Sequence, residues 1–159
     1  MIACYDMRIN RGAEYLFGIN GTRKGDRRYM LDGVVDYHVF FDDGVLHVRT
    51  EPSFVFDGRS GPRLIDWYAP NLGSLNERFG WHMHDALGYG QSLDFWHTNR
   101  ALRLYLRDMC LYRPSKAWLI EKAVSIDRKW YGEPKEGDWC RMNLGKVTTE
   151  WTPRVLNAA

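Results

Sequence analysis

Residues 36–50 read DYHVFFDDGVLHVRT, and this stretch decides the fold of the N-terminal half of the chain. Apolar and polar residues alternate on both sides of Asp43-Gly44, which is the pattern of two half-buried strands joined by a tight turn. A two-residue turn at Asp43-Gly44 would pair Phe41 with Leu46 and keep the apolar side chains together, so we predict that register. The predicted core face consists of Tyr37, Val39, Phe41, Leu46, Val48 and Thr50.

Shorter runs of residues with high strand propensity lie on both sides of this hairpin in the sequence. They predict strands at residues 14–19, 28–31 and 53–56. Residues 133–159 form a tail without clear periodicity, in which residues 147–151 are predicted to return as one strand.

Three helices are predicted between these strands and the tail. SLNE at residues 74–77 has the form of a capping box, which predicts a helix over residues 75–87. Apolar spacing predicts a second helix over residues 94–112 and a third that Ser115 caps. Strands first and helices after predict one α+β domain, in which an N-terminal antiparallel, hairpin-rich sheet packs against about three C-terminal helices. The third helix is expected to turn inward Leu119, Ile120, Ala123, Ile126 and Trp130.

The composition limits the classes of function. Aromatic residues make up 14% of the chain, with seven Trp and nine Tyr, and this abundance favours a folded core or a binding face. A net charge of +2 is too small to indicate a dedicated nucleic-acid binder. The three isolated cysteines, an odd number without a CxxC pair, are typical of free thiols in a reducing compartment. The sequence has neither a signal peptide nor an apolar run of about 20 residues, so we predict a cytoplasmic protein with no membrane partner.

Four short motifs follow one another along the chain: DGRSGP at 57–62, HDAL at 84–87, LDFWHTNRALRLYL at 93–106 and AWLIEKAVSIDRKWYG at 117–132. In this order they resemble a small family of bacteriophage and prophage proteins catalogued as a domain of unknown function. The similarity covers residues 35–132, which leaves the N-terminal segment and the tail outside it. It implies a phage-type protein in the host cytoplasm, and it implies no particular activity. Members usually carry an acidic residue where this chain has Thr98-Asn99, and Asn99 cannot supply a charge.

The candidate catalytic residues are His84 and Asp85 on the first predicted helix, with Asp57 and Ser60 at the end of the preceding strand. His84 and Asp85 point about 100° apart, so they need ligands from elsewhere to hold one ion. With such ligands they could bind a divalent zinc or magnesium ion that activates water against a phosphoester or amide. Ser60 as a nucleophile is a further alternative, although it lacks the G-x-S-x-G turn. The structural alternative is a hydrogen-bonded latch between His84 and the 57–62 turn. Further candidate ligands are His38, His47 and Asp94.

A binding role is the leading hypothesis. Arg100, Arg103 and Arg107 line one side of the second predicted helix, close to Trp96, and this pattern is typical both of a phosphate-binding stripe and of an ordinary solvated face. The number of Trp residues exceeds what a core of this size usually holds, so some are expected to anchor a partner. We therefore predict a small phage-type accessory protein that binds a host or virion protein, with a metal-assisted hydrolase as the alternative. Further candidate binding residues are Arg59, Tyr89 and Asn99.

Overall fold

A computed structural model describes residues 4–11, 16–20, 27–56, 74–89, 93–131 and 143–154. These residues form seven strands and three helices, and their order confirms the predicted α+β class. The strands are β1 Cys4–Arg11, β2 Leu16–Asn20, β3 Arg27–Leu31, β4 Val35–Phe41, β5 Gly44–Thr50, β6 Val55–Phe56 and β7 Val147–Pro153. The helices are α1 Leu75–Tyr89, α2 Phe95–Asp108 and α3 Pro114–Tyr131.

The described strands pair in two antiparallel sheets. The first sheet has the order β1-β4-β5-β7, and the second has the order β2-β3-β6. Two helices contact the sheets directly: α2 packs against β1 of the first sheet, and α1 lies against β5 of the first sheet and β6 of the second. The outer helix, α3, packs against α2. None of the helices in the described part of the chain has the length and apolar character that crossing a membrane requires.

The β4–β5 hairpin has the predicted faces but not the predicted register. Phe41 pairs with Gly44 and Val39 pairs with Leu46, so the turn consists of Asp42 and Asp43. The predicted pairing of Phe41 with Leu46 is therefore wrong by two residues. A shift of two residues leaves every side chain on its original face, because side chains alternate with a period of two. The predicted core set is buried throughout: Tyr37, Val39, Phe41, Leu46, Val48 and Thr50.

Gly44 begins β5, and the reason for glycine is the close approach of β7. Trp151 pairs with Leu46, and its ring lies 5.7 Å from the Phe41 ring, over the backbone of Gly44. A Cβ atom at position 44 would lie 2.6 Å from the carbonyl oxygen of Thr152, 2.8 Å from Cη2 of the Trp151 ring and closer still to Cζ2 of that ring. No side chain fits there without moving the backbone of β7.

The other strands overlap their predicted positions, with one addition and one reduction. β1 lies in a part of the sequence for which no strand was predicted, and it pairs with β4 along its whole length apart from a bulge near Tyr5. The strand predicted at residues 53–56 is reduced to β6, because Ser53 adopts a left-handed φ of 67° that a strand does not allow. The strands predicted at residues 28–31 and 147–151 are confirmed as parts of β3 and β7, and the strand predicted at 14–19 is confirmed for residues 16–19 in β2, while residues 14–15 lie outside the described residues.

The capping box of α1 is confirmed. The Glu77 amide donates to Oγ of Ser74 at 3.4 Å, and the Ser74 amide donates to the Glu77 carboxylate at 2.5 Å. Asp94 is the N-cap of α2 rather than its first residue, and its carboxylate accepts from the His97 amide at 2.9 Å. The predicted C-terminus of α2 is four residues too long, because the helix ends at Asp108 and Leu111 takes a left-handed φ of 55°.

The predicted start and inner face of α3 are partly wrong. Pro114 is the first residue of the helix, so Ser115 does not cap it; proline suits this position because its missing amide hydrogen would have no partner there. Ile120 is buried as predicted, whereas Leu119 and Ile126 are exposed. Among residues 114–126 of α3, the buried ones are Ala117, Ile120, Glu121, Val124 and Ser125, and the predicted inward side chain of Trp130 lies outside the described part.

Replacing Gly44 with Ala is expected to destabilise the protein by about 2 kcal/mol, because the new methyl group meets backbone and an indole ring rather than a flexible side chain. The matched control is Gly88→Ala in the last turn of α1, where a Cβ atom meets nothing within 4 Å. Alanine favours a helix over glycine, so this variant should gain about 0.5 kcal/mol. Urea unfolding measures both changes. Equal changes in the two variants would contradict the packing of Trp151 on Gly44.

Candidate functional site

His84 faces α2 rather than solvent. Its side chain is 11% exposed, and that of Asp85 is 8% exposed. Nε2 of His84 lies 2.9 Å from Oδ1 of Asn99, which is fully buried in α2. This contact joins two candidate residues that the sequence predicts separately, His84 in HDAL and Asn99 on the second predicted helix. The position occupied by Asn99 is therefore adjacent to His84 in space as well as in the motif order.

A chain of hydrogen bonds continues from Asn99 into α3. Nδ2 of Asn99 donates to Oγ of Ser125 at 3.0 Å, and Ser125 donates in turn to the carbonyl oxygen of Glu121 at 2.7 Å. Because the amide nitrogen of Asn99 faces Ser125, its oxygen is left to accept, so Nε2 of His84 carries a proton. Each member of the chain has a partner, and one buried network joins the three helices.

A second polar contact lies one turn further along the same helix pair. Nη1 of Arg103 donates to the Glu121 carboxylate at 3.1 Å, and Glu121 is almost completely buried. Asn99 and Arg103 are one turn apart on α2, and they meet Ser125 and Glu121 in the reverse order on α3. The two helices therefore run antiparallel, and their interface contains polar as well as apolar contacts.

Sequence reasoning missed Ser125 and Glu121. A usable signal was present in the sequence, because each of the two helices carries a polar pair with i, i+4 spacing on an otherwise apolar face. The pairs are Asn99 with Arg103 and Glu121 with Ser125.

The remaining nitrogen of His84 is the chemically open group of this network. Nδ1 is buried and makes no hydrogen bond, and it lies 3.5 Å from Oδ1 of Asp85. A proton on Nδ1 would turn this contact into an ion pair, and a metal ion could use the same lone pair. In the described residues, no group of three or more His, Cys, Asp and Glu side chains is arranged to hold a metal. Asp57, Arg59 and Ser60 lie outside the described residues, so the predicted metal site and latch stay predictions.

The other candidate ligands lie on different surfaces. His38 and His47 pair across β4 and β5 on the face that points away from the helices, where their rings stack at 4.6 Å. His47 contacts the Asp36 carboxylate at 2.9 Å. Burial and the neighbouring His47 lower the pKa of His38, which keeps its ring neutral near pH 7. Asp94 is committed to the N-cap of α2 and to the ring of His97 at 2.7 Å.

Most of the predicted binding residues of α2 are engaged within the protein. Arg103 is bound by Glu121, and Arg107 donates to Asp108 at 2.7 Å. Asn99 is fully buried, so it belongs to the helix network and presents no surface to a partner. Two of the three arginines in the predicted basic stripe, Arg103 and Arg107, therefore have carboxylate partners. Arg100 is the remaining arginine of the stripe. Tyr89 places its ring edge against Phe54, with centroids 5.6 Å apart.

His82, two residues before His84, faces the first sheet instead of α2. Nδ1 of His82 lies 2.5 Å from the hydroxyl of Tyr37, and the rings of Phe54 and Phe56 meet it edge-on at 5.1 and 5.0 Å. Burial among these rings lowers the pKa of His82 to about 3, so the imidazole is neutral at physiological pH. This residue is structural, because no solvent reaches it.

The strongest surface feature is the outer face of α3, formed by Trp118, Leu119, Lys122 and Ile126. Trp118 and Leu119 are each 43% exposed, and Ile126 is 52% exposed. These residues fall within an arc of about 100° on the side of α3 opposite to its buried residues. Nζ of Lys122 lies 5.9 Å from the centre of the Trp118 ring. The other described tryptophan with a large exposed area is Trp96, at 63%.

Comparison of the chain with models of protein families, with curated proteins and with solved structures finds no match. The resemblance to the phage family therefore stays a prediction, and the function has to be argued from the geometry of the described residues.

The hydrogen bond between His84 and Asn99 is expected to couple α1 to α2. Changing either residue to Ala should destabilise the protein by about 1–3 kcal/mol, because each variant leaves a buried partner without its bond. The double variant should be less destabilised than the sum of the single variants by at least about 0.5 kcal/mol. Urea unfolding of the four proteins completes the cycle. Additive losses would show that the two residues act independently.

The buried His82 is expected to make stability depend on pH below 6.5. The unfolded chain takes up a proton near pH 6.5, whereas the folded protein takes it up only near pH 3, so stability is complete above pH 6.5 and falls as the pH is lowered. One such group gives a slope of about 1.4 kcal/mol per pH unit. Unfolding of the wild type and of His82→Phe between pH 7 and 4 measures the difference. Parallel curves would contradict a neutral buried His82.

Proposed function

We propose that this chain is a small accessory protein that acts by binding another protein through the outer face of α3. The observation that carries this proposal is the exposure of Trp118, Leu119 and Ile126 on one side of a helix whose other side is already packed against α2. Exposed apolar surface on a folded protein is commonly a site of interaction. Tryptophan is also among the residues that contribute most to binding energy at protein interfaces.

The amphipathic pattern of α3 supports the same conclusion. A helix that only covers a core has one apolar side and one polar side. α3 instead has an inner side that includes Ala117, Ile120 and Val124, and an outer side on which large apolar residues surround Lys122. The outer residues contribute little to folding while they remain exposed to solvent. Their burial against a partner would release roughly 25 cal/mol per Å² of apolar surface.

The class of partner follows from the motif order described above. We propose a phage-type protein that works in the host cytoplasm and docks on a host or virion protein. Support for this origin is the sequence of DGRSGP, HDAL and the two helical segments. Nucleic acid is a weaker candidate, because Arg103 and Arg107 each have a carboxylate partner.

A metal-assisted hydrolase is the second candidate, and one observation favours it. Nδ1 of His84 is buried without a hydrogen bond beside the Asp85 carboxylate, where an ion could replace the missing partner. The candidate requires Asp57 as a third ligand, with Ser60 or Tyr89 to position the substrate. Elemental analysis of the purified, tag-free protein tests it. Near-stoichiometric zinc or magnesium that disappears in His84→Ala and Asp85→Ala would support the hydrolase, and metal-free protein would remove it.

The two exposed tryptophans provide a matched pair of variants for the binding proposal. Trp118→Ala is expected to lose the proteins that the wild type captures from infected host extract, whereas Trp96→Ala on α2 should retain them. Both side chains are exposed, so neither change should lower the free energy of unfolding by more than about 0.5 kcal/mol. Affinity capture followed by mass spectrometry measures the result. Loss in Trp96→Ala alone would move the binding site to α2.

A further inference from the structure

Positive charge is concentrated on α3, which carries the proposed binding surface, and on α2, against which α3 packs. Residues 95–131 contain eight of the 22 Lys and Arg residues but only three of the 20 Asp and Glu residues. The rest of the chain therefore has fourteen basic and seventeen acidic residues. The small net charge of +2 hides this separation. A basic α2–α3 hairpin on an otherwise slightly acidic protein favours acidic partners for that side of the molecule.

The charges nearest to the outer face of α3 are also mostly positive. Lys122 lies within the face, and Arg113 and Lys116 lie at the beginning of the helix. Nζ of Lys116 lies 3.7 Å from the centre of the Tyr112 ring, which holds this ammonium group at the surface. The only carboxylate between residues 113 and 126 belongs to Glu121, which is almost completely buried and bound by Arg103. Over residues 113–126, whose side chains the structure describes, the apolar face is thus accompanied by cations and by no exposed carboxylate, and Asp127 is the next carboxylate in the sequence.

We propose that the partner has an apolar groove with carboxylates along its edge, into which α3 lies lengthwise. This inference rests on the proposed function and names the chemistry of its partner. Leu119, Ala123 and Ile126 have the i, i+4, i+7 spacing by which an amphipathic helix enters a groove. Trp118 flanks this row as the largest anchor. Lys116 and Lys122 then meet the acidic edge of the groove and fix the orientation of the helix.

The same charges disfavour a second copy of this chain as the occupant. In a symmetric pair of α3 helices, each residue of the face meets the equivalent region of its copy. Lys122 is central in the face, so self-association would bring like charges together as the apolar residues became buried. An acidic groove removes this repulsion and buries the same apolar surface.

The test is selection from a random library of 16-residue peptides by mRNA display, because it does not require the natural partner. The targets are the wild type and the double variant Leu119→Ser/Ile126→Ser, which keeps the buried side of α3. We expect the wild type to enrich acidic amphipathic peptides that the double variant does not bind. For the peptide that binds most tightly, Lys116→Glu/Lys122→Glu should raise the Kd by about tenfold or more. Raising NaCl from 50 to 500 mM should also raise the Kd of the wild type.

The outcomes separate the partner chemistry from the proposed function. Enriched peptides that are neutral or basic, and that bind the wild type but not Leu119→Ser/Ile126→Ser, would contradict the proposal of an acidic partner. The proposal that the outer face of α3 binds a protein would still be supported. Peptides that bind the wild type and the double variant equally, or no enrichment at all, would overturn both. Vesicles of phosphatidylcholine and phosphatidylglycerol at 3:1 and a 20-base-pair DNA duplex serve as further probes. Binding of either one through the outer face, in place of acidic peptides, would also overturn the acidic protein partner.

Discussion

Tyr37, at the centre of β4, places a hydroxyl group inside the apolar core, and that group needs a partner. It finds one in α1, where its oxygen lies 2.5 Å from Nδ1 of His82 and donates to the carbonyl oxygen of Phe79 at 3.4 Å. This contact ties the middle of the first sheet to the middle of the helix that covers it. The rotation of α1 about its axis follows, because His82 has to point toward the sheet.

Once that rotation is set, His84 has to point elsewhere. Two residues along a helix turn a side chain by about 200°, so His84 faces away from the sheet and toward α2. There it binds Asn99, which in turn binds Ser125 on α3. The helices are therefore positioned in sequence by polar contacts, from sheet to α1, from α1 to α2, and from α2 to α3. Because α3 is the last helix in this series and uses its inner side for α2, its outer side has no neighbouring helix or strand among the described residues.

How much of this could be predicted from the sequence depends on how far each signal reaches. Period-two alternation identifies the faces of β4 and β5, but it cannot separate registers that differ by two residues. Asp43-Gly44 has the composition of a tight turn, whereas in the structure Gly44 lies in β5 and makes room for Trp151. The capping box of α1 is local and was predicted correctly. The inner side of α3 was not, because Leu119 and Ile126 are as apolar as Ile120, and their exposure depends on where α2 packs. Half of the residues in the helix network can be predicted from the sequence, namely His84 and Asn99. Ser125 and Glu121 cannot, because their roles depend on the contact between α2 and α3.

The buried Glu121 links the stability of the helix hairpin to its surface charge. Arg103 holds this carboxylate inside the interface. The attraction between the two charges therefore acts between α2 and α3, and the Glu121 carboxylate is not exposed to solvent. Lys122 lies 3.5 Å from the second oxygen of Glu121, so two cations share one carboxylate and an excess of positive charge remains at the surface. A residue that stabilises the helix pair thereby also reduces the positive charge beside Trp118 without cancelling it. The binding surface is in this sense a consequence of how α3 is attached, and a change at Arg103 or Glu121 alters the fold and the surface charge together.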